Sequence, residues 1–474
     1  MTQNDAYTDG DSPAGDAESE AMSPLERRAA VSLAGIFSLR MLGLFMILPV
    51  FSLHAKEYAG YTPLLSGIAI GIYGLTQAMF QIPFGMLSDH IGRKKVIVAG
   101  LAIFVAGSIV AALADTIWEV IGGRALQGFG AIAAAVLALT ADLTREEQRT
   151  KAMAIIGVSI GLAFALAMVI GPAVTSTAIG LPGLFWLTAI LSLGGIAVLL
   201  FYVPDPVITR FHRDTEPVPA QFARILGNPQ LLRLDVGILI LHLIMTATFV
   251  TLPLALRDAA GVDPSRHWMV YLGVLTLSVI LMAPFVMYAD RKNRLKHVFV
   301  GAVAALVVAE TGLFRYQTGL MELVLLMVLY FTAFNILEAS LPSLVSRLAP
   351  SDMKGTALGA YSTAQYLGAF LGGAAGGWLH GRFGTDASFA LCAALGVVWL
   401  AVAVGMRNPP PLSSFLMRLG SLDQGAAERA AARLLEVEGV AEAVVVAEDG
   451  VAYLKVDRRR LDRAALRAIS TASA

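Results

Sequence analysis

Charge is what this chain has least of. Only 15% of its 474 residues are Asp, Glu, Lys or Arg, while 57% are hydrophobic and the mean hydropathy is +0.69. A water-soluble globule of this length carries about 25% charged residues, so the shortfall points to surface that faces lipid. The two signs cancel to a formal net charge of zero, which removes the basic excess that a nucleic-acid partner requires. Cysteine is almost absent: Cys392 stands alone, so no internal disulfide and no paired-cysteine metal site can form. A Walker phosphate loop is missing too, which excludes an attached ATPase as the energy source. No nucleophile–base pair or His/Asp cluster lies at a depth suited to intramembrane catalysis. An enzyme is therefore the least fitting class, and no cofactor or metal is expected.

The first 24 residues hold six carboxylates and no Lys or Arg. A secretory signal needs a basic start and an apolar core, so residues 1–28 are expected to be a disordered, acidic cytoplasmic tail. After Arg28, apolar runs of roughly 20 residues recur, each long enough to cross a hydrocarbon core of about 30 Å. Twelve crossings are expected, the first over 29–53, the fourth over 119–141, the tenth over 321–346 and the eleventh over 355–380. The longest polar interruption, 204–234, reads as a linker between six-helix bundles at 29–203 and 235–407. With the N-terminus inside, the inner segments through Arg407 carry 19 Lys or Arg and the outer loops carry 5. Cations favour the cytoplasmic side, so both termini are expected there.

A charged stretch recurs once in each half. "PFGMLSDHIGRKKVIVAG" begins at Pro83 and "PFVMYADRKNRLKHVFVG" begins at Pro284, an offset of 201. Seven of the eighteen positions coincide, among them Asp89 with Asp290 and Arg93 with Arg294. Two six-helix repeats follow from this, with a substrate site expected at their interface. The fold class expected is an all-α multi-pass membrane protein of twelve transmembrane helices in two six-helix repeats. A small C-terminal α+β ferredoxin-like domain follows them.

These residues resemble the major facilitator superfamily. "GMLSDHIGRKKV" is similar to its loop signature, "GRALQGFGA" to a second signature of proton-coupled members, and "GPAVTS" from Gly171 to part of the antiporter signature. Ala167, Thr175 and Ser176 stand where the full antiporter form has glycines. "FSLRMLGLFMILPV", "FNILEASLPSLVSR" and the C-terminal extension together resemble the YajR-type drug exporters. The resemblance implies a proton-coupled, alternating-access exporter in the cell inner membrane, with a conformational latch built from Gly85, Asp89, Gly92, Arg93, Asp142 and Arg149, echoed by Asp290 and Arg294. It also implies a packing role for Gly171 and Pro172 and a proton-coupling role for Arg124, with Gln127, through a neighbouring carboxylate.

The remaining candidates come from depth. Arg40 lies eleven residues into its segment, about 16 Å at 1.5 Å per residue. A cation there costs roughly 2.5–3.5 kcal/mol on insertion scales and is expected to face a cavity or a partner, for which Glu338 across the halves is one choice. Asn335 and Glu338, at i and i+3, are expected on one face of the tenth crossing. The Glu338 carboxyl can carry a proton, contact a cationic substrate or sit in a fixed salt bridge. His242 is a side chain that titrates in the useful range, or a packing residue. Glu310, near the outer end of its helix, is expected to be wet. Gln77, Gln81, Gln365 and Tyr73 are cavity-lining or helix-bonding candidates.

After "NPPPL" the pattern changes over 408–474. A strand near 417–421, a helix over 426–438, two strands about an Asp449-Gly450 turn and a helix from Leu461 give a βαββα order. This module is expected to regulate, to self-associate or to bind a ligand; its Arg458–Arg460 run is a solvated surface or a lipid contact. The partners expected are a small-molecule substrate, protons and membrane lipids. Three functions stay open: a proton-coupled exporter of hydrophobic or amphipathic compounds, a proton-coupled importer of a small nutrient, and a sensor signalling through the C-terminal module.

Overall fold

The computed structural model of the chain describes residues 21–206, 217–316 and 319–408, and residues 412–469 except 421, 448–449, 458–459, 463–464 and 467. Most of the acidic tail, part of the linker, and Asp449, Arg458 and Arg459 lie outside the described residues.

The first helix, α1 (Pro24–Phe45), begins inside the segment read as tail. Ser23 and Glu26 form a capping box and Pro24 opens the first turn, satisfying amide groups that would otherwise be orphaned. The helix breaks over 46–50, and a single turn, Phe51–His54, completes the crossing. Next come α2 (Pro63–Ile91) and α3 (Arg93–Ala112), joined by Gly92 alone. Its φ of 102° is a conformation that glycine adopts without strain. The fourth crossing is in two pieces, α4 (Ile117–Phe129) and α5 (Ala133–Asp142), with the break after Gly130. Helices α6 (Glu146–Thr175) and α7 (Gly180–Phe201) complete the N-terminal half.

The second half holds α8 (Pro229–Asp258), α9 (His267–Arg291), α10 (Leu295–Arg315), α11 (Leu320–Leu348), α12 (Lys354–Phe383) and α13 (Thr385–Val404). Among the described residues eleven spans are long and apolar enough to cross a membrane. The remaining crossing is α12, whose low apolarity has a packing cause. Gly368 and Gly372 lie against the α8 backbone at Leu239 and Leu243, while Gly373 and Gly377 lie against α2 at Gly67. A helix wedged between two backbones needs small residues rather than large apolar ones. The α2–α12 seam joins the halves: a Cβ on Gly71 would sit 2.9 Å from the Phe370 carbonyl oxygen. A second junction forms where Phe164 of α6 meets Phe334, Phe331 and Phe249, at centroid distances of 5.9, 6.4 and 6.4 Å.

The C-terminal module folds as β1 (Ser413–Arg418), α14 (Gln424–Leu435), β2 (Val440–Val446) and β3 (Val451–Val456). The strands form one antiparallel sheet in the order β1-β3-β2. Gly450 turns the hairpin at φ 64°, and Leu466 and Ile469, from the segment expected to be the second helix, are buried in the module's own core. The module rests on one end of the bundle, here termed the module end. Ser351, in the connection between α11 and α12, donates from its amide and hydroxyl to Glu442 Oε1 at 3.0 and 2.8 Å. Lys455 Nζ donates to the Arg347 carbonyl at 3.1 Å and pairs with Glu442 at 3.3 Å. Burial pushes the Glu442 carboxyl up, but the Ser351 hydrogen bonds and the Lys455 ammonium outweigh it and hold it below its ordinary value. Strand β1 packs on both α6 and α11, so the module touches each half.

Candidate functional site

Three polar clusters among the described residues hold the candidates expected from the sequence. The first stands at the module end, where Gly92 lets α3 start immediately after α2. Arg93, at the first position of α3, is buried. Its guanidinium donates to the Asp89 carboxylate, to Ser88 Oγ at 2.8 Å and to Asp142 Oδ2 at 3.3 Å. Charge-assisted bonds of this kind are the strong ones, and here they tie three helices together. Gly85 brings α2 onto α5, with a Cβ there 2.9 Å from the Ala134 methyl. Arg149 is buried on α6. Glu26, missed in the sequence, adds a clamp: it accepts from the Arg145 amide at 2.8 Å and from Arg145 Nε at 2.9 Å. The "SPLE" capping pattern was its only signal.

The echo in the second half does not assemble in the same way. Arg294 is exposed and meets no carboxylate among the described residues; the Asp290 side chain lies outside them. The turn explains the difference. Three residues, with Asn293 at φ 52°, separate α9 from α10 where Gly92 alone separates α2 from α3. Arg294 therefore precedes its helix rather than opening it, and is exposed where Arg93 is buried.

A second cluster is cationic and belongs to the N-terminal half. Arg40 is fully buried, and its Nη2 donates to Gln77 Oε1 at 2.7 Å and to the Gly130 carbonyl at 3.1 Å. The break in the fourth crossing frees that carbonyl from helix bonding. The Arg40 guanidinium lies 5.5 Å from the Tyr73 ring centroid and 5.3 Å from that of Phe104, while Nε and Nη1 have no partner. Arg124, equally buried, donates to Gln127 Oε1 at 2.6 Å, and its guanidinium also lies 5.3 Å from the Tyr73 ring centroid. Gln127 passes a hydrogen bond to Ser108 Oγ at 2.8 Å. None of these partners is a carboxylate. Among the described residues no carboxylate pairs with Arg124, and Arg40 does not pair with Glu338.

The third cluster lies where α8, α11 and α12 converge. Gln365 Nε2 donates to Glu338 Oε1 at 3.3 Å and lies 2.8 Å from His242 Nε2. The Glu338 Oε2 atom is enclosed without a partner. His242 is buried, 6.2 Å from Phe334 between ring centroids, which joins this cluster to the aromatic junction of the halves. Asn335 does not share the site: it donates to Ser278 Oγ of α9 at 3.3 Å. Residues at i and i+3 point about 60° apart around a helix, enough for one to meet α9 and the other α12. Gln81 Nε2 donates across the halves to Thr363 Oγ1 at 2.8 Å.

Two buried carboxyls were not found from sequence depth. Glu310 is fully buried rather than wet, and accepts from Thr248 Oγ1 at 2.8 Å. Its position near a helix end does not expose it, because α8 and α13 cover that face. Asp235 of α8 is also buried, with Oδ2 unpartnered. At Gly171 the α6 backbone lies against the Met46 carbonyl and Pro49, where the first crossing breaks, and Pro172 follows inside the helix.

Twelve crossings in two halves, with buried charge concentrated between and within them, define a membrane transporter. The chain belongs to the Major Facilitator Superfamily, whose profile matches residues 33–373. The profile of the YajR YAM domain matches residues 423–470, the C-terminal module. The inner membrane transport protein YajR of Escherichia coli (strain K12) is 49% identical over 442 residues, 93% of this chain and 97% of that protein. The multidrug resistance protein MdtH of Klebsiella pneumoniae (strain 342) is 24% identical, covering 72% of this chain and 83% of its own. A bacterial homolog of the human lysosomal transporter Spinster, solved in an inward-facing and occupied conformation, shares the fold. Its TM-score is 0.64 at 15% identity, over 81% of this chain and 97% of that one.

Proposed function

We propose that the protein is a proton-coupled exporter of hydrophobic or amphipathic small molecules, working by alternating access in the cell inner membrane. The observation that carries this reading is the Glu338–Gln365–His242 set beside the aromatic junction. An intramembrane carboxyl with one enclosed, unpartnered oxygen is a functional group by default. It can hold a proton in one state and, in another, release it or meet a cationic substrate. Phe45, Phe164, Phe331 and Phe334 offer the apolar surface that a hydrophobic substrate needs. The YajR relative's name, an inner membrane transport protein, supports the membrane, and the MdtH relative's name, a multidrug resistance protein, supports drug-like substrates. The excess of cations on the inner segments supports a cytoplasmic module end with both termini inside. On this reading the Arg93 cluster is a latch that is closed at the cytoplasmic side when the far side is open, and the module, touching both halves, regulates that opening.

One observation favours a second reading. Ala167, Thr175 and Ser176 occupy places where the antiporter signature has glycines, and import of a small nutrient by the same machinery fits that departure. Everted vesicles with an acidic interior and a pH-sensitive dye separate the two. A panel of lipophilic cations and neutral drugs is added to wild type and to Glu338→Gln. Export predicts substrate-dependent proton efflux from the wild-type vesicles and about a hundredfold less from the variant, the size expected when a positioned proton carrier is removed. Silence across the panel overturns drug export.

A further inference from the structure

Glu310 takes no part in the site described above, yet it is as thoroughly enclosed as any side chain in the protein. Thr248 of α8 donates to Oε1 at 2.8 Å, and Oε2 has no partner. The Tyr330 hydroxyl of α11 is buried and unpartnered as well, and lies within electrostatic reach of the Glu310 carboxyl, as does the Cys392 thiol of α13. Thr248 Oγ1 is 3.9 Å from Cys392 Sγ. Four helices thus contribute one polar group each, and no Lys, Arg or His is among them. An ionised carboxylate in such a place would be neither hydrated nor paired, which is strongly unfavourable. The charge on Glu310 and the packing around it are therefore linked: closed packing requires the neutral acid, and the anion requires water.

We propose that Glu310, with Thr248, Tyr330 and Cys392, is a second proton-binding site, sealed inside the C-terminal half and loaded from the far end. Glu310 stands five residues before Arg315, the last residue of α10, about 7.5 Å from that end. When the helices there part, the carboxylate takes a proton on Oε2, forming one O–H bond. When they close, the neutral acid is held by Thr248, and when the module end opens, water reaching Oε2 takes the proton off to that side and leaves the carboxylate to be reloaded. The link to the substrate site is α11, which carries Tyr330 at this site and, eight residues or about 12 Å along the same rod, Glu338 at the other. Any shift of that rod alters both carboxyls at once. The inference rests on proton-driven transport as its energy source, and gives the cycle two protonation events instead of one.

Infrared difference spectroscopy of the full chain in proteoliposomes tests it, using the C=O band of protonated carboxyls during a pH step. The expected result is a band that bleaches on alkalinisation in wild type and in Glu338→Gln, and is missing in Glu310→Gln, which keeps the Thr248 bond. Protons moved per substrate, measured with tetraphenylphosphonium as the probe, fall by half in Glu310→Gln while probe binding stays within twofold. A Glu310 band unchanged across the pH step, or a wild-type proton count in Glu310→Gln, overturns the proposal. If Glu310→Gln does not fold, the pH step in the Glu338→Gln, Asp235→Asn double variant, which removes the other two buried carboxyls named above, still decides. A bleaching Glu310 band in a protein that shows no substrate-driven proton movement would sink the exporter reading and leave this site standing.

Discussion

The two halves of this transporter bury charge of opposite sign. In the N-terminal half Arg40 and Arg124 are fully enclosed, and all their hydrogen bonds go to amide oxygens of Gln77, Gln127 or the backbone. In the C-terminal half Glu338 and Glu310 are held by Gln365 and Thr248. Among the described residues no ion pair joins the two sets. A guanidinium keeps its proton in a protein, so the N-terminal charges are permanent and must be tolerated through ring faces and carbonyls. A carboxyl can take up a proton and lose its charge. Between these two sets, only the C-terminal one can take up and release a proton; the N-terminal one supplies a fixed field, and that division of labour is what the comparison teaches.

The largest test of this division is at Arg40. Removing it by Arg40→Leu takes away the fixed charge and strands the Gly130 carbonyl. We expect substrate-driven proton flux in vesicles to fall about a hundredfold. Arg40→Lys keeps the charge, but one ammonium cannot span Gln77 and Gly130 while lying between two rings, and it should restore only a minor part. Full activity in the lysine variant would show that charge alone matters and that the geometry does not.

The next contrast sets the assembled Arg93 cluster against its unassembled echo. Asp142→Asn removes a charged hydrogen bond of about 1.5–3 kcal/mol, enough to shift a two-state equilibrium by roughly 10- to 150-fold. Arg294→Ala, at an exposed position, should stay within about 0.5 kcal/mol. The labelling rate of a cysteine introduced at the module end reads the difference, since the native Cys392 is buried. Equal effects from both variants would erase the asymmetry between halves.

The smallest effect is expected at the module. Glu442 lies below its ordinary value of 4.5 because Ser351 and Lys455 outweigh its burial. Its contribution to docking is present in full above that value and is lost as the pH falls through the depressed one. Proteolysis between Arg407 and Ser413 should accelerate only in that acidic window, and in Glu442→Gln at neutral pH. A cleavage rate that ignores both changes would mean the Ser351–Glu442 contact does not hold the module.

Much of this was legible in the sequence because it follows from local rules. Apolar length gave the crossings, the depth of Arg40 gave its burial, and Asp89 followed by Gly92 and Arg93 gave a tight charged turn. What was not legible depends on packing between distant segments. Glu310 is dry because α8 and α13 cover it, which depth along α10 cannot tell. Arg294 fails to repeat Arg93 because two more residues stand in its turn, although the aligned letters match. Asn335 left the Glu338 site for α9 on a difference of about 60° around one helix. The break at Gly130, which frees the carbonyl that Arg40 needs, had no signal beyond a glycine in a glycine-rich crossing.

The central claim is that the coupling proton rides on the C-terminal half. Its most direct test is proton release from purified protein in lightly buffered detergent on addition of tetraphenylphosphonium. Wild type and Arg40→Lys should acidify the medium, Glu338→Gln should do so less, and Glu338→Gln combined with Glu310→Gln should not, at equal probe occupancy. Undiminished acidification by the double variant would contradict the account and move the search for the coupling group elsewhere in the bundle.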